Sequence, residues 1–259
     1  MLSKNQIKLI TSLKIKKFRE EHGLFCVEGI KMVSELLAQN KFEVVLVFAT
    51  EKWIELNKNT SHKKNIEINS ISLAELNKIS QLTSPNEVLA LVKIPENKLS
   101  DIKIENELIL VLDDINDPGN LGTIIRTADW FGIKSIVCSE NTVDLYNFKV
   151  IQSTMGSVFR VDLYYTSIYK FLSKNKKTTK IYGALLDGTS IYQANLSHSG
   201  IIVIGNESKG ISKEIVEIIE NKIKIPSFSS NNESAESLNA SIATAIICSE
   251  FRKTKTKTC

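Results

Sequence analysis

Three stretches of this chain gather side chains that could do chemistry. The first is Asn116-Asp117-Pro118-Gly119-Asn120-Leu121-Gly122-Thr123-Ile124-Ile125-Arg126-Thr127-Ala128-Asp129. Pro118-Gly119 reads as a turn leading into a helix over 121–131. At about 100° per residue, Leu121, Ile124, Ile125, Ala128 and Phe131 form one apolar stripe, which leaves Asn120, Thr123, Arg126 and Thr127 on the opposite side. Amide, hydroxyl and guanidinium groups beside a helix N-terminus suit an anion such as a phosphate. The chain holds four arginines against 29 lysines, so the planar, permanently charged fork of Arg126 is poor filler. The plainer alternative is a solvated helix face after a routine turn.

The second stretch, 201–212, runs from four apolar residues into Gly205-Asn206-Glu207-Ser208-Lys209-Gly210. Glycines there allow close backbone approach to a ligand, or simply a tight strand-to-helix turn. Ile211 stands where a phosphate-binding loop needs its lysine, and G-x-G-x-x-G is absent, which argues against nucleotide-triphosphate and dinucleotide sites. The third stretch couples Ile225-Pro226 to Ser237-Leu238-Asn239-Ala240-Ser241, with Ser237 a candidate N-cap of a final helix.

The elements that must position these groups alternate between strand and helix. Strands are expected at 108–112, 135–138, 181–186, 201–204 and 222–225, and helices at 121–131, 213–220 and 238–252. Strands apolar along their whole length and separated by helices argue for a parallel sheet covered on both faces. Chemistry then gathers in the loops beyond the strands' carboxyl ends, where all three stretches fall. The first 96 residues read as a smaller α/β unit. It has an amphipathic opening (Ile7, Ile10, Leu13, Lys17), apolar runs at 24–27 and 44–48, a helix over 72–79 with the capping box Ser72/Glu75, and a strand over 87–94. Residues 97–106 read as a linker and 107–259 as the second domain.

With 259 residues, 42% hydrophobic and 24% charged, the chain has the composition of a soluble globular protein. No apolar run reaches the roughly 20 residues of a bilayer span. The opening MLSKNQIKLI lacks a secretory h-region, so a cytoplasmic protein with no membrane partner is expected. The four cysteines and three histidines are dispersed, which speaks against a metal site; Cys26, Cys138 and Cys248 read as buried thiols. The net charge of +4 is compatible with a polyanionic partner, and basic residues cluster at 4–19 and 252–257.

Taken together and in order, D-P-G-N-L-G-T-I-I-R-T-A-D at 117–129, V-I-G-N-E-S-K-G at 203–210, and I-P at 225–226 with E-S-L-N-A-S at 236–241 resemble the three motifs of SpoU (TrmH-like) RNA methyltransferases, of the SPOUT superfamily. K-K-F-R-E-E-H-G-L-F-C-V-E-G at 16–29 and S-P-N-E-V-L-A-L-V at 84–92 are similar to the family's N-terminal substrate-binding extension. The loop between Pro226 and Ser237 is about four residues longer than the commonest family spacing, and Ala240 stands where valine is usual. The resemblance implies an α/β-knot domain with a trefoil knot and a mostly parallel sheet, preceded by a smaller RNA-binding α/β domain. It implies S-adenosylmethionine as methyl donor, held by Leu186, Ile204, Gly205, Asn206, Gly210, Ile225, Pro226 and Leu238. It also implies transfer to a ribose 2′-hydroxyl, with Arg126 central and Asn120, Glu207, Ser237 and Asn239 positioning the ribose and that arginine. The two-domain layout leans toward ribosomal RNA over transfer RNA. A non-catalytic RNA-binding homologue is the rival of another class, and retention of all five polar positions speaks against it. A homodimer is implied as well, while Ile242, Ile246 and Ile247 suit either a core or an interface.

Overall fold

The computed structural model describes residues 2–57, 66–228 and 237–253. Two compact units emerge, one from Met1–Glu96 with Asp144–Phe159, the other from Asn97–Val143 with Arg160–Cys259.

In the first unit, strands β1 (Leu24–Glu28), β2 (Val44–Ala49), β3 (Ile68–Ser70) and β4 (Val88–Lys93) form one sheet in the order β1-β4-β2-β3. β4 pairs antiparallel with β1 and β2, and β2 pairs parallel with β3. The amphipathic opening divides into helices α1 (Lys4–Ser12) and α2 (Lys16–His22). Ile10 and Leu13 join Phe48, Leu76, Ile79 and Leu89 in the core beneath the sheet. Helices α3 (Ile30–Ala38), α4 (Glu51–Leu56) and α5 (Leu73–Ile79) are the remaining α-helices among the described residues of the first 96. The Ser72/Glu75 capping box closes as expected, and the Glu75 carboxylate also accepts the Leu2 N–H at 2.9 Å. The unit takes one piece from far along the chain, containing helix α6 (Phe148–Thr154). The guanidinium of Arg19, 3% exposed, fastens this piece. Its Nε donates to Asp144 at 3.0 Å and its Nη1 to the Leu13 carbonyl at 2.8 Å. Arg19 is therefore a structural clamp and leaves the basic cluster expected at 4–19.

The second unit carries β5 (Leu108–Leu112), β6 (Ser135–Cys138), β7 (Asp162–Tyr165), β8 (Ile181–Ser190), β9 (Gly200–Ile204) and β10 (Asn221–Lys224). They lie in the order β10-β8-β9-β5-β6-β7, every pairing parallel. Both faces of the central strands are covered: Leu108–Leu112 and Gly200–Ile204 are buried throughout. This is the doubly covered parallel sheet that continuous apolar strands demand. Residues 97–106, expected as a linker, group with this unit, and Ile102 enters its core beside Ile109 and Tyr164.

Two helices in this unit carry site residues, and their starts differ from expectation. α7 runs from Pro118 to Trp130, so Pro118-Gly119 is the first helical turn. Asp117 caps it by accepting the Asn120 N–H at 2.8 Å, and a proline at the first helical position sacrifices no hydrogen bond. The last helix, α10 (Ala240–Arg252), is capped by Asn239 and not by Ser237. Asn239 Oδ1 accepts the Ser241 N–H at 3.0 Å, a role its short amide performs as well as a serine hydroxyl would. Helices α8 (Ile168–Asn175) and α9 (Lys213–Val216) cover the sheet. Ile215, Ile218 and Ile219 reach the core although the regular helix stops at Val216.

Candidate active site

The three chemistry-bearing stretches meet at the carboxyl ends of β5, β9 and β10. After β9 the chain makes a small hairpin closed by a bridge between Asn206 and Gly210. Gly205 is required there, because a Cβ on it would overlap the backbone of Gly210 and Ile211. Asn206 Oδ1 accepts the N–H groups of Ser208 and Lys209 at 2.9 and 3.0 Å, which fixes the hairpin from within.

β8 supplies the second wall by departing from the sheet. Its register with β10 jumps from Gly183 opposite Lys222 to Thr189 opposite Ile223. Residues 184–188 therefore bow outward, and the chain regains the sheet at Gly188, where a Cβ would lie 2.6 Å from Ile223 backbone atoms. The strand expected to end at Leu186 thus continues to Ser190 around a bulge.

Between hairpin, bulge and the start of α10 lies a cavity of about 340 Å³. Leu186, Ile204, Gly205, Asn206, Gly210, Ile225 and Leu238 line it, seven of the eight positions expected around the methyl donor; Pro226, next to Ile225, is not among the lining residues. Glu207 and Ser237 border it too. Sequence reasoning missed Ala240, Ala243 and Ile247, whose spacing of three and four residues puts them on one face of α10. That spacing was legible, but a cavity wall and a core stripe share it. Of the other two isoleucines on this helix, Ile242 is exposed and Ile246 partly so.

The polar expectations also converge. Asn239 Nδ2 donates to Asn120 Oδ1 at 2.9 Å, and Asn120 Nδ2 donates to Glu207 Oε1. Ser237 Oγ lies 3.5 Å from the Glu207 carbonyl oxygen. One residue from each stretch is thus linked in a chain: the start of α7, the hairpin and the cap of α10. Arg126 stands apart. It is exposed, and it makes no hydrogen bond or ion pair among the described residues. Six residues beyond Asn120 it lies about 9 Å further along the helix and roughly 120° around it, so the two side chains diverge. The longer loop noted in sequence, 227–236, falls outside the described residues from 229 on, as does Glu236 of the third motif.

The cavity suits the expected donor. Its volume is that of a small-molecule site, and its walls are mostly aliphatic side chains and glycine backbone, with polar groups contributed by the hairpin, Lys224 and Ser237. Leu186 is 77% exposed and Leu238 47%, apolar surface at the rim that a flat heterocycle would cover. Among the described residues no three metal-ligating side chains converge, and no helix is long and apolar enough to cross a membrane. Burial pushes the thiols of Cys26 and Cys138 up and that of Cys248 to about 12, which removes all three as nucleophiles.

Comparison with known proteins agrees with this geometry. Residues 107–249 match the SpoU rRNA Methylase family, and residues 4–90 match the MRM3-like substrate binding domain. The chain is 29% identical to the 23S rRNA (guanosine(2553)-2′-O)-methyltransferase RlmP of Bacillus subtilis, over 96% of this chain and 97% of that one. A TrmH-family protein from Porphyromonas gingivalis superposes with a TM-score of 0.87 at 36% identity, covering 97% of this chain and 98% of the other. The AdoMet-bound rRNA methyltransferase of Sinorhizobium meliloti superposes at 0.84 with 26% identity, over 97% and 95%. A parallel sheet whose post-strand loops hold the three motifs in one place, with a matching substrate-binding unit before it, makes this chain a member of the SpoU rRNA methylase family.

Proposed function

We propose that this protein transfers a methyl group from S-adenosylmethionine to a ribose 2′-hydroxyl of ribosomal RNA. The observation that carries the reading is the Asn239–Asn120–Glu207 chain of hydrogen bonds at the edge of an apolar, glycine-walled cavity. Relatives named for 23S rRNA, RlmP among them, support the choice of RNA.

The donor, when bound, supplies an electrophilic sulfonium methyl; the protein's residues do the remaining work. Leu186, Leu238 and the Gly205–Gly210 backbone shape the cavity and exclude water from it. Asn120, Glu207 and Asn239 are preorganised by one another and hold the ribose for in-line attack. Arg126 has no protein partner among the described residues, so its guanidinium is available to a phosphate of the substrate. A guanidinium stays charged across the usable pH range. It therefore acts by holding that phosphate and stabilising the oxygen as its proton passes to solvent and S-adenosylhomocysteine leaves.

In this reading the second unit carries the trefoil knot of its family and pairs with a second copy. Support for pairing comes from Trp130, 85% exposed at the end of α7, and Ile242, 51% exposed on α10, the helix packed against α7. Large apolar side chains bared on neighbouring helices mark an interaction surface.

The test is transfer of radiolabelled methyl to 23S rRNA lacking the modification. Wild type is expected to label it, and Arg126→Ala to fall by at least roughly 10²-fold, the loss that follows removal of one preorganised donor. Undiminished transfer by that variant overturns the role of Arg126, and failure of the wild type to label any RNA overturns the function.

A further inference from the structure

Asp114, in the loop after β5, adopts φ +59°, a left-handed conformation that glycine would take without strain. It is one of four described non-glycine residues with positive φ, and it alone among them lies within the loops of the active site. Strain of this kind persists where surrounding contacts over-determine it, and such contacts are present. The Asp114 N–H donates to Ser139 Oγ at 2.9 Å, in the loop after β6. Its carbonyl accepts Asn206 Nδ2 at 2.7 Å, from the hairpin after β9. Its carboxylate accepts Lys209 Nζ at 2.9 Å, from the same hairpin, and Asn116 Nδ2 at 3.1 Å. The Lys209 bond holds the Asp114 carboxyl below its usual range.

Both ends of this tie matter for the site. Lys209, Asn206 and their hairpin line the donor cavity. Three residues after Asp114 the chain reaches Asp117, the cap of α7, the helix that carries Asn120 and Arg126. Lys209 is largely exposed, and an exposed ion pair contributes little to stability, so fold maintenance is a weak reason for keeping the strained aspartate.

We propose that Asp114 is a positioning residue that, through its ion pair with Lys209, holds the donor hairpin in register with the arginine helix. The proposal rests on the methyltransferase reading above. A glycine at 114 fits the backbone and removes the carboxylate's bonds to Lys209 and Asn116, while Lys209→Met removes the ion pair alone from the other side.

The experiment measures, for wild type, Asp114→Gly, Lys209→Met and the double variant, the Kd for S-adenosylhomocysteine by calorimetry, the melting temperature, and KM and kcat for methyl transfer with S-adenosylmethionine varied. Each single variant is expected to weaken product binding about fivefold or more at a preserved melting temperature, the size of a typical coupling between two elements. KM for S-adenosylmethionine should rise by a larger factor than kcat falls. The double variant should bind no worse than either single one, because the two side chains act as one unit. Wild-type affinity in Lys209→Met, or losses that add in the double variant, overturn the proposal while leaving the methyltransferase reading intact. If Asp114→Gly melts lower, Asp114→Asn, which tolerates the same left-handed backbone and loses the charge, takes its place in the comparison. A wild-type protein that binds no S-adenosylhomocysteine overturns the reading beneath it.

Discussion

Three of the four arginines are tied to other parts of the fold. Arg19 binds Asp144 and two carbonyls, Arg160 binds Asp129, and Arg252 donates to the Phe131 carbonyl at 2.9 Å. Arg126 has no such duty among the described residues, although its helix face taken alone reads equally well as a solvated one. The contrast predicts opposite phenotypes. Arg126→Ala should leave the melting temperature unchanged while abolishing most of the methyl transfer. Arg19→Met should cost about 3 kcal/mol in urea unfolding, because it leaves the Asp144 carboxylate and two carbonyls without their partner. Gly205→Ala should cost about 1–3 kcal/mol by overpacking against the Gly210 backbone, with donor affinity falling in parallel. Asn120, Glu207 and Asn239 were legible as polar residues in post-strand loops. That Asn120 links the other two was not, since 87 and 119 residues of chain separate the partners.

At the scale of elements, local chemistry read well wherever the pattern was strong. The apolar strands at 108–112 and 201–204 and the capping box at Ser72 stand as the residues foretell. Ser72→Ala should destabilise the first unit by about 1 kcal/mol, measured by chemical unfolding. Glu75 adds a pH signature: hydrogen bonds from Ser72 and Leu2 depress its carboxyl to about 2. A depressed carboxyl contributes stability above its unfolded value and loses it as pH falls through the folded one. Stability should therefore decline between about pH 4.5 and 2, and Glu75→Gln should flatten that decline. Where expectation failed, tertiary context had overridden a local habit. Pro118-Gly119 looked like a turn because such pairs usually are, yet Asp117 behind it supplies a cap. The bulge after Gly183 could not be foreseen, because it exists only through the register β8 keeps with β10.

At the scale of the whole molecule, the alternation of elements was enough to foretell two α/β units, one with a parallel sheet. It could not reveal that Asp144–Phe159 groups with the first 96 residues, since no local pattern records a long-range pairing. The paired state proposed above predicts a light-scattering mass of twice the 29.0 kDa of one chain, reduced toward one chain by Trp130→Glu. The returning piece has a separate consequence. The Arg19 side chain, a hydrogen bond from Gln152 Nε2 to the Glu28 carbonyl at 3.1 Å, and the Phe25–Tyr146 ring pair all tie it to the first unit. The polypeptide therefore passes from one unit to the other at 96/97, 143/144 and 159/160. A fragment ending at residue 96 leaves the Arg19 guanidinium and the Phe25 ring without these partners, and should be far less stable than the same residues in the full chain. Joining this module to a foreign catalytic partner at a single crossover point would sever it from part of its own interior, so a working graft has to carry residues 144–159 along with the first 96.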